Sequence, residues 1–317
     1  MGWARRRFGI GGPIGLLLAL SLPLPAALRA QAPAGPGDAI VVTGQRDRNA
    51  AIRGFIDEVT VASDDQIAAF DAALCPASYG LPPAHNQVVA ALIRQAATRA
   101  RIRVAPLPCR PNVVVIVAEN GAELVALLRR ERPILFNSLE QAELRALTAA
   151  AGPVRSWQVV EPRGADGRPM EHVSFLQIGG GAPSYIGEAR LLTGVRPSLT
   201  ERPTRQDLTL SLIVFDLAAI EGLNLRQLAA YAAMRTLART DPPAAGRPPG
   251  RTILTLFDDR HAGRPAAEGL TRWDSAYLAS LYAAGRTLAA PLQRSAMARL
   301  FGRALAESDT DRDAPDR

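Results

Sequence analysis

The sequence predicts a mixed α/β (α+β) fold that is rich in helix and contains a small mixed sheet. Two segments, 112–117 and 208–216, are short, apolar and rich in β-branched residues, as buried strands are. Two longer segments, 85–103 and 223–239, repeat apolar residues every three to four positions, which is typical of helices with one buried face. Because strands and helices of this kind alternate along the chain, we expect the helices to pack against the sheet.

Two local patterns add detail in the first half of the chain. Ile67, Phe70 and Leu74 follow one another at helical spacing, which predicts a helix that ends near the first cysteine. Ser138 and Gln141 have the spacing of a capping box, so another helix is expected to begin at Ser138. The predicted elements of this half are helices at 64–75, 85–103, 121–130 and 138–151 and a strand at 112–117.

The second half contains further turn and capping signals. Asp166-Gly167 separates two alternating segments, so we predict a β-hairpin there. Thr271 and Asp274 predict the start of a helix. The glycines at 179–181 lack the spacing of a nucleotide-binding loop and are interpreted as a turn. The predicted elements are strands at 154–162, 171–178, 208–216 and 252–257 and helices at 223–239, 271–284 and 291–307.

The N-terminus has the three parts of a secretory signal peptide. Arginines occupy positions 5–7, an apolar stretch follows at 10–22, and small residues lead to a predicted cleavage site after Ala30, with Ala32 as the alternative. General secretion is expected, and the arginines leave twin-arginine export open. The predicted organisation is a signal peptide at 1–30, a flexible leader at 31–50, an N-terminal α/β subdomain at 51–152, a C-terminal α+β subdomain at 153–307 and a disordered tail at 308–317.

Composition narrows the classes of partner. The chain of 317 residues has a formal net charge of +7, and all 37 of its basic residues are arginine. A basic chain can indicate nucleic acid or an anionic membrane. Here the arginines are scattered among abundant Ala, Gly and Pro, which is typical of a GC-rich genome, so no nucleic-acid partner is predicted. No transmembrane segment is expected once the signal is removed, because no later stretch is long and apolar enough.

The two cysteines, Cys75 and Cys109, are predicted to form a disulfide. An even number of cysteines in an exported chain indicates such a bond, because the periplasm is oxidising. The bond would close a loop that contains one predicted helix. A metal site and a reactive thiol are the alternatives, but no histidine lies near both cysteines, and no metal or other cofactor is predicted.

Residues 38–44 (DAIVVTG) resemble the TonB box, the short segment by which outer-membrane transporters are held by TonB. Such segments bind by adding an extended strand to a sheet edge. Ile40, Val41, Val42 and Thr43 supply β propensity, and the leader rich in Ala, Pro and Gly supplies freedom of movement. The resemblance implies that these four residues bind TonB or another envelope protein. The alternative is an edge strand of the folded domain.

The order of elements after residue 208 resembles the C-terminal half of a metzincin-type zinc protease. Leu270, Asp274, Leu278, Leu281 and Tyr282 match the pattern of its closing helix, and the segment 252–255 matches its methionine turn with leucine in place of methionine. The resemblance implies a zincin-like C-terminal half. The helix that would carry H-E-x-x-H has Gln227 and Tyr231 at that spacing, so a zinc-free, inactive relative is implied. An unrelated α/β domain is the alternative.

Other groups could serve a hydrolase. Glu171, His172 and Ser174 lie on one predicted strand, and Asp258, Asp259 and Glu268 could form an acid pair. Each set is more simply interpreted as surface residues, as is His172 on an exposed hairpin face. The aromatic residues that could otherwise form a ligand platform are interpreted as core or rim; they are Trp157, Trp273, Tyr277 and Tyr282.

The predicted function is therefore partner binding in the periplasm without catalysis. A hydrolase with a site that the sequence does not reveal is one alternative. An accessory of TonB-dependent transport is the other.

Overall fold

The computed structural model describes residues 37–149, 152–177, 185–191, 198, 200–243 and 251–313, and its fold is mixed α/β, as predicted. The predicted signal peptide and the glycines at 179–181 lie outside the described residues. The helices are α1 Gly37–Val59, α2 Pro83–Arg99, α3 Gly121–Glu131, α4 Gln141–Ala149, α5 Leu225–Thr236, α6 Leu256–His261, α7 Arg272–Ala283 and α8 Ala290–Asp313. The strands are β1 Ala69–Phe70, β2 Pro76–Tyr79, β3 Val113–Ala118, β4 Val154–Gly164, β5 Glu171–Gln177, β6 Tyr185–Leu191 and β7 Thr204–Asp216.

The long strand β7 is the centre of the main sheet. One edge of β7 pairs in parallel with β1 and then with β3, which in turn pairs in parallel with β2. Along its other edge, β7 pairs antiparallel with β4 from Thr204 to Phe215. Strand β3 lies before residue 152, where we predicted a subdomain boundary, and β7 lies after it. The main sheet therefore contains strands from both sides of that boundary.

The predicted hairpin around Asp166-Gly167 is wrong in its pairing. A turn is present, with the Gly167 amide donating to the Gly164 carbonyl at 2.8 Å. However, β4 continues along β7, and β5 pairs with β6 in a separate two-stranded sheet. Among the described residues, the two arms of the turn share one antiparallel bridge, between Arg163 and Pro169.

The crossover from β2 through α2 to β3 brings the two cysteines together. Cys75 precedes β2, Cys109 precedes β3, and the two form the predicted disulfide with a Cα–Cα distance of 6.0 Å. Gly80 ends β2 with φ of +90°, and a β-carbon there would lie 1.9 Å from the carbonyl oxygen of Val117. Only glycine therefore allows β2 to turn away so close to β3.

The sheet separates two hydrophobic cores. In β3 the odd-numbered valines, such as Val113 and Val115, face the larger core, while Val114 and Ile116 contact the smaller one. This alternation follows from the two-residue period of a strand. The larger core contains residues of α1, α2, α5, α6, α7 and α8, and the smaller core contains residues of α3 and α4.

The helix predicted at 64–75 is not formed. Asp64 and Asp65 have φ of 47° and 57°, a tight turn joins Ser63 to Gln66, and β1 follows. The apolar residues that suggested a helix are buried nevertheless, because the extended segment passes through the larger core. Where an extended segment passes through a core, the spacing of its apolar residues does not distinguish a helix from a strand.

Two further local predictions are corrected. Residues 252–257 form a 3₁₀ turn, Ile253–Thr255, and then α6, where we predicted a strand. Helix α4 begins at Gln141, and Ser138 does not cap it. The Ser138 hydroxyl instead donates to the Gln158 carbonyl and accepts from the Val160 amide, both at 3.1 Å. In both places, hydrogen bonds to a distant segment replace the predicted local ones.

The two chain ends also differ from prediction. Helix α1 begins at Gly37, within the predicted flexible leader, and α8 continues to Asp313, within the predicted disordered tail. The second half of α1 carries Ile52, Phe55 and Ile56, all buried in the larger core. None of the helices in the described ranges is both long and apolar enough to cross a lipid bilayer.

Candidate functional site

The four residues of the TonB-box-like segment, Ile40, Val41, Val42 and Thr43, lie within α1. We predicted an extended segment here, and the structure has helix instead. Once a helix is nucleated, each added residue gains a hydrogen bond, so a docked helix can extend through β-branched residues. Strand addition to TonB would require the first turns of α1 to unwind. TonB binding itself remains a prediction.

Helix α5 holds the two residues that occupy the H-E-x-x-H spacing. Gln227 forms a capping box with Asn224, and its side-chain amide donates to the Ala267 carbonyl at 3.0 Å. Tyr231 is buried, and its ring packs edge-to-face against Phe257 at 4.9 Å. Burial raises the pKa of its phenol above the ordinary value. Gln227 and Tyr231 therefore have structural contacts, and among the described residues neither lies beside a cluster of possible metal ligands.

Asp274, which matched the closing-helix pattern, holds the 3₁₀ turn against α7. Its carboxylate accepts from the Thr252 hydroxyl at 2.5 Å, the Ile253 amide at 3.0 Å and the Thr271 amide at 2.9 Å. It is completely buried, and burial raises its pKa although these donors act in the opposite direction. The capping box of Thr271 and Asp274 is confirmed.

The candidate acids do not form a catalytic pair. One oxygen of the Asp259 carboxylate accepts from the Thr255 hydroxyl at 2.7 Å, and the other accepts from Arg264 Nε at 2.8 Å. Both oxygens of Asp259 therefore have a partner. Asp258 is exposed on α6, and Glu268 lies on a different segment. The cluster resembling an acid pair therefore consists of one structural carboxylate and two surface ones.

The other hydrolase candidates lie on β5. Glu171, His172 and Ser174 pair with β6, with His172 opposite Arg190 and Ser174 opposite Glu188. The side chains of His172 and Ser174 are outside the described part of the structure. Among the described residues, no group of three or more His, Cys, Asp or Glu could hold a metal ion.

The four aromatic candidates pack inside the protein. Trp157 stacks on Phe136 with ring centroids 5.1 Å apart, and Trp273 contacts Phe301 at 5.2 Å. The Tyr277 hydroxyl lies 3.1 Å from the hydroxyl of Thr60, and burial raises the pKa of Tyr277 to about 12. Tyr282 donates to the Leu237 carbonyl at 2.6 Å. Trp157 and Tyr277 are buried and Trp273 and Tyr282 are partly buried, which agrees with the predicted core or rim positions.

A cavity of about 850 Å³ opens between the C-terminal half of α2, the start of α5 and the segment 265–272. Three exposed arginines line it: Arg99 at the end of α2, Arg226 in the first turn of α5, and Arg251 before the 3₁₀ turn. We call this cavity the arginine cleft. Its floor consists of small, buried apolar residues, Ala96, Ala229, Ala230 and Ala267.

The arginine cleft carries excess positive charge. Among the described residues, no ion pair is made by Arg99, Arg226 or Arg251, and Glu268 is the acidic residue in the lining. The aliphatic part of Arg226 lies over Gly269, where a β-carbon would be 3.0 Å from its Cγ. The absence of a β-carbon at Gly269 therefore leaves room for the Arg226 side chain at the wall of the cleft.

Arg226 occupies an unfavourable position for a cation. A positive side chain in the first turn of a helix meets the positive end of the helix dipole, at a cost of about 0.3–1 kcal/mol. Arg99, at the end of α2, is favoured by the same effect. The helix dipole therefore favours an arginine at position 99 and disfavours one at position 226. The positive end of the α5 dipole adds to the positive field of the cleft.

Sequence reasoning did not identify the arginine cleft. Its arginines come from three separate segments of the chain. Arg99 and Arg226 are more than a hundred residues apart in sequence. In a sequence whose basic residues are all arginine, three such residues do not stand out. The position of Arg226 within the capping box formed by Asn224 and Gln227 is the local signal that was available.

Comparison of the chain with protein-family models, with curated proteins and with solved structures finds no match.

Proposed function

We propose that the chain is an exported periplasmic protein that binds an anionic ligand in the arginine cleft without chemically changing it. The observation that carries the proposal is the set of three cleft arginines without an ion-pair partner among the described residues. Guanidinium groups bind carboxylates and phosphates through paired, charge-assisted hydrogen bonds. The cleft volume lies within the range of about 300–1,000 Å³ that is common for small-molecule sites.

The disulfide supports the location that we propose. Cys75 and Cys109 are joined, which is consistent with an oxidising compartment such as the periplasm. The predicted signal peptide points to the same compartment. An anion-binding site is also compatible with the partner-binding role predicted from the sequence, and it replaces the leader as the main candidate for contact.

Removing two cleft arginines should weaken anion binding. We expect the double variant Arg99→Gln with Arg226→Gln to bind citrate and inorganic phosphate at least about tenfold more weakly than the wild type, because each lost charge-assisted hydrogen bond contributes about 1.5–3 kcal/mol. Isothermal titration calorimetry at low and at moderate salt measures the change. Screening by salt should weaken binding by the wild type.

The matched control is the double variant Arg129→Gln with Arg145→Gln. Both of these arginines are exposed on α3 and α4, on the other side of the sheet, so the net charge changes equally. Wild-type affinity in this control supports a local site. Equal weakening in both double variants would indicate attraction by net charge alone and contradict the proposal, as would absence of binding to both anions.

TonB contact is a second candidate role, motivated by the resemblance of the residues 40–43. We expect mature protein to recover TonB from periplasmic extract, and Val42→Pro to abolish recovery, because proline removes a backbone donor that strand addition needs. The control is Gly37→Pro, which places proline at the first residue of α1, outside the segment 38–44, where it is tolerated. Recovery that is equal in all three proteins, or absent from the wild type, would refute this role.

A further inference from the structure

The arginine cleft continues into a second depression. This depression has a volume of about 700 Å³ and runs between α7 and α8. Arg99 and Thr271 line both cavities, so the two meet at the end of α2. We call the second cavity the helical groove.

The floor of the helical groove differs in chemistry from the arginine cleft. Its lining mixes small and aliphatic side chains of the two helices with charged ones such as Arg101, Arg303 and Glu307. The apolar members on these helices include Ala276, Ala279 and Ala283 of α7 and Leu300 and Ala304 of α8. The arginine cleft is therefore joined to a groove that offers apolar contacts to a hydrocarbon chain.

Arg101, near the junction of the two cavities, has an unusual backbone conformation. Its φ is 59°, the left-handed region, and the amides of Arg101 and Ile102 donate to the carbonyls of Thr98 and Ala97, which closes α2 in a Schellman motif. Glycine is the usual residue at this position, and any other residue is strained there. Strained residues are concentrated at ligand-binding sites. An arginine at a glycine position beside Arg99 thus supports a role in binding.

We propose that the arginine cleft and the helical groove together bind an amphiphilic anion, with its carboxylate or phosphate head at the arginines and its aliphatic chain along α7 and α8. This inference rests on the proposed function, and it adds the class of ligand. Charge complementarity selects the head, because three arginines without an ion-pair partner among the described residues line the arginine cleft. The alanine floor selects the chain, because small side chains leave room for methylene groups beside the two helices.

The test compares anions that share a head and differ in chain length. Acetate, octanoate and dodecanoate, and separately inorganic phosphate, octyl phosphate and dodecyl phosphate, are titrated into the full mature protein below their aggregation concentrations. We expect affinity to rise by up to about fourfold for each methylene that is buried in the groove. Stronger binding of the carboxylate series indicates a fatty-acid type of ligand, and stronger binding of the phosphate series indicates a lipid headgroup. Dodecyl maltoside, which has a neutral head, should bind at least tenfold more weakly than dodecyl phosphate.

Substitution of the groove floor provides the structural control. Ala279→Glu places a negative charge in the path of the chain, and we expect at least a tenfold loss of dodecanoate affinity with little change for acetate. Ala142→Glu makes the same substitution on an exposed position of α4, on the opposite side of the sheet, and should leave both affinities unchanged. Circular dichroism and the unfolding midpoint confirm that each variant is folded.

Arg101→Gly tests the junction by two measurements that move in opposite directions. Relief of the left-handed strain should raise the urea midpoint of unfolding. Loss of the guanidinium should weaken binding of dodecyl phosphate about two- to fivefold, as expected for an exposed charge. A purely structural arginine would give the first change without the second.

The outcomes separate this inference from the function on which it rests. Anion binding that is independent of chain length, or unaffected by Ala279→Glu, would overturn the amphiphilic ligand and leave the anion site in place. Equal binding of dodecyl maltoside and dodecyl phosphate would overturn the assignment of the head. Failure of the wild type to bind every anion in both series would overturn both proposals.

Discussion

Asp274 shows how a single buried carboxylate can hold two segments together. Its oxygens accept hydrogen bonds from Thr252, Ile253 and Thr271, which joins the 3₁₀ turn to the start of α7. The same residue forms the capping box of α7 with Thr271. Because the 3₁₀ turn packs against α5, the Asp274 carboxylate also supports the helix that carries Arg226.

Replacement of Asp274 by asparagine should destabilise the protein. The new amide group would place a donor opposite existing donors, so we expect a loss of about 1–3 kcal/mol in the free energy of unfolding. Urea denaturation followed by circular dichroism measures the loss. The matched change Asp258→Asn, on the exposed residue of α6, should have little effect.

The loss should also depend on pH. Burial raises the pKa of Asp274, so the folded protein holds the proton more tightly than the unfolded chain does. Stability from this effect is fully present below the unfolded pKa of about 4, and it is lost as the pH rises through the higher folded pKa. The difference between wild type and Asp274→Asn should therefore shrink as the pH is raised from about 4 towards neutrality. A difference that widens over this range would show that the hydrogen bonds, and not burial, control the pKa.

At the scale of elements, the sequence predicted those whose identity depends on local pattern. The helices near α2 and α5 follow from the period of their apolar residues, the strands near β3 and β7 from short β-branched runs, and the start of α7 from its capping signal. The errors occur where a distant partner decides. Strand β4 pairs with β7, about fifty residues away in sequence, and the turn at 253–255 donates a hydrogen bond to Asp274.

The disulfide is the element-scale contact with the most direct consequence for stability. It links the chain before β2 to the chain before β3 and encloses α2, over a sequence separation of 34 residues. On the chain-entropy model, closing such a loop stabilises the fold by about 4 kcal/mol. We expect the double variant Cys75→Ser with Cys109→Ser to lose an amount of this order in urea unfolding. An unchanged midpoint would show that the enclosed loop is already ordered in the unfolded chain.

The arginine cleft belongs to the scale of the whole molecule, because three elements distant in sequence form it. Arg99 ends α2, Arg226 begins α5, and Arg251 follows a proline- and glycine-rich segment. Pattern analysis assigns α2 and α5 as helices but does not show that their ends meet. The site could not be predicted until the packing of α2 against α5 was known.

The predicted export concerns the whole chain, and it can be tested directly. We expect the mature protein to begin at Gln31, because the signal is predicted to be cleaved after Ala30. Intact-mass analysis of periplasmic protein, with and without reduction before alkylation, reports both the cleavage site and the disulfide. An uncleaved chain, or cysteines that react without reduction, would contradict periplasmic location.

The two unequal cores imply that the protein does not open uniformly. The smaller core buries Val125, Phe136, Leu147 and Trp157 with two residues of β7, whereas the larger core contains residues from six helices. Local unfolding is cheapest where few apolar contacts are broken. The layer of α3 and α4 is therefore expected to exchange its amide hydrogens first, through a partial opening in which β7 and the layer that contains the arginine cleft stay folded. The sheet would then act as a barrier that keeps fluctuations of one layer from reaching the arginine cleft.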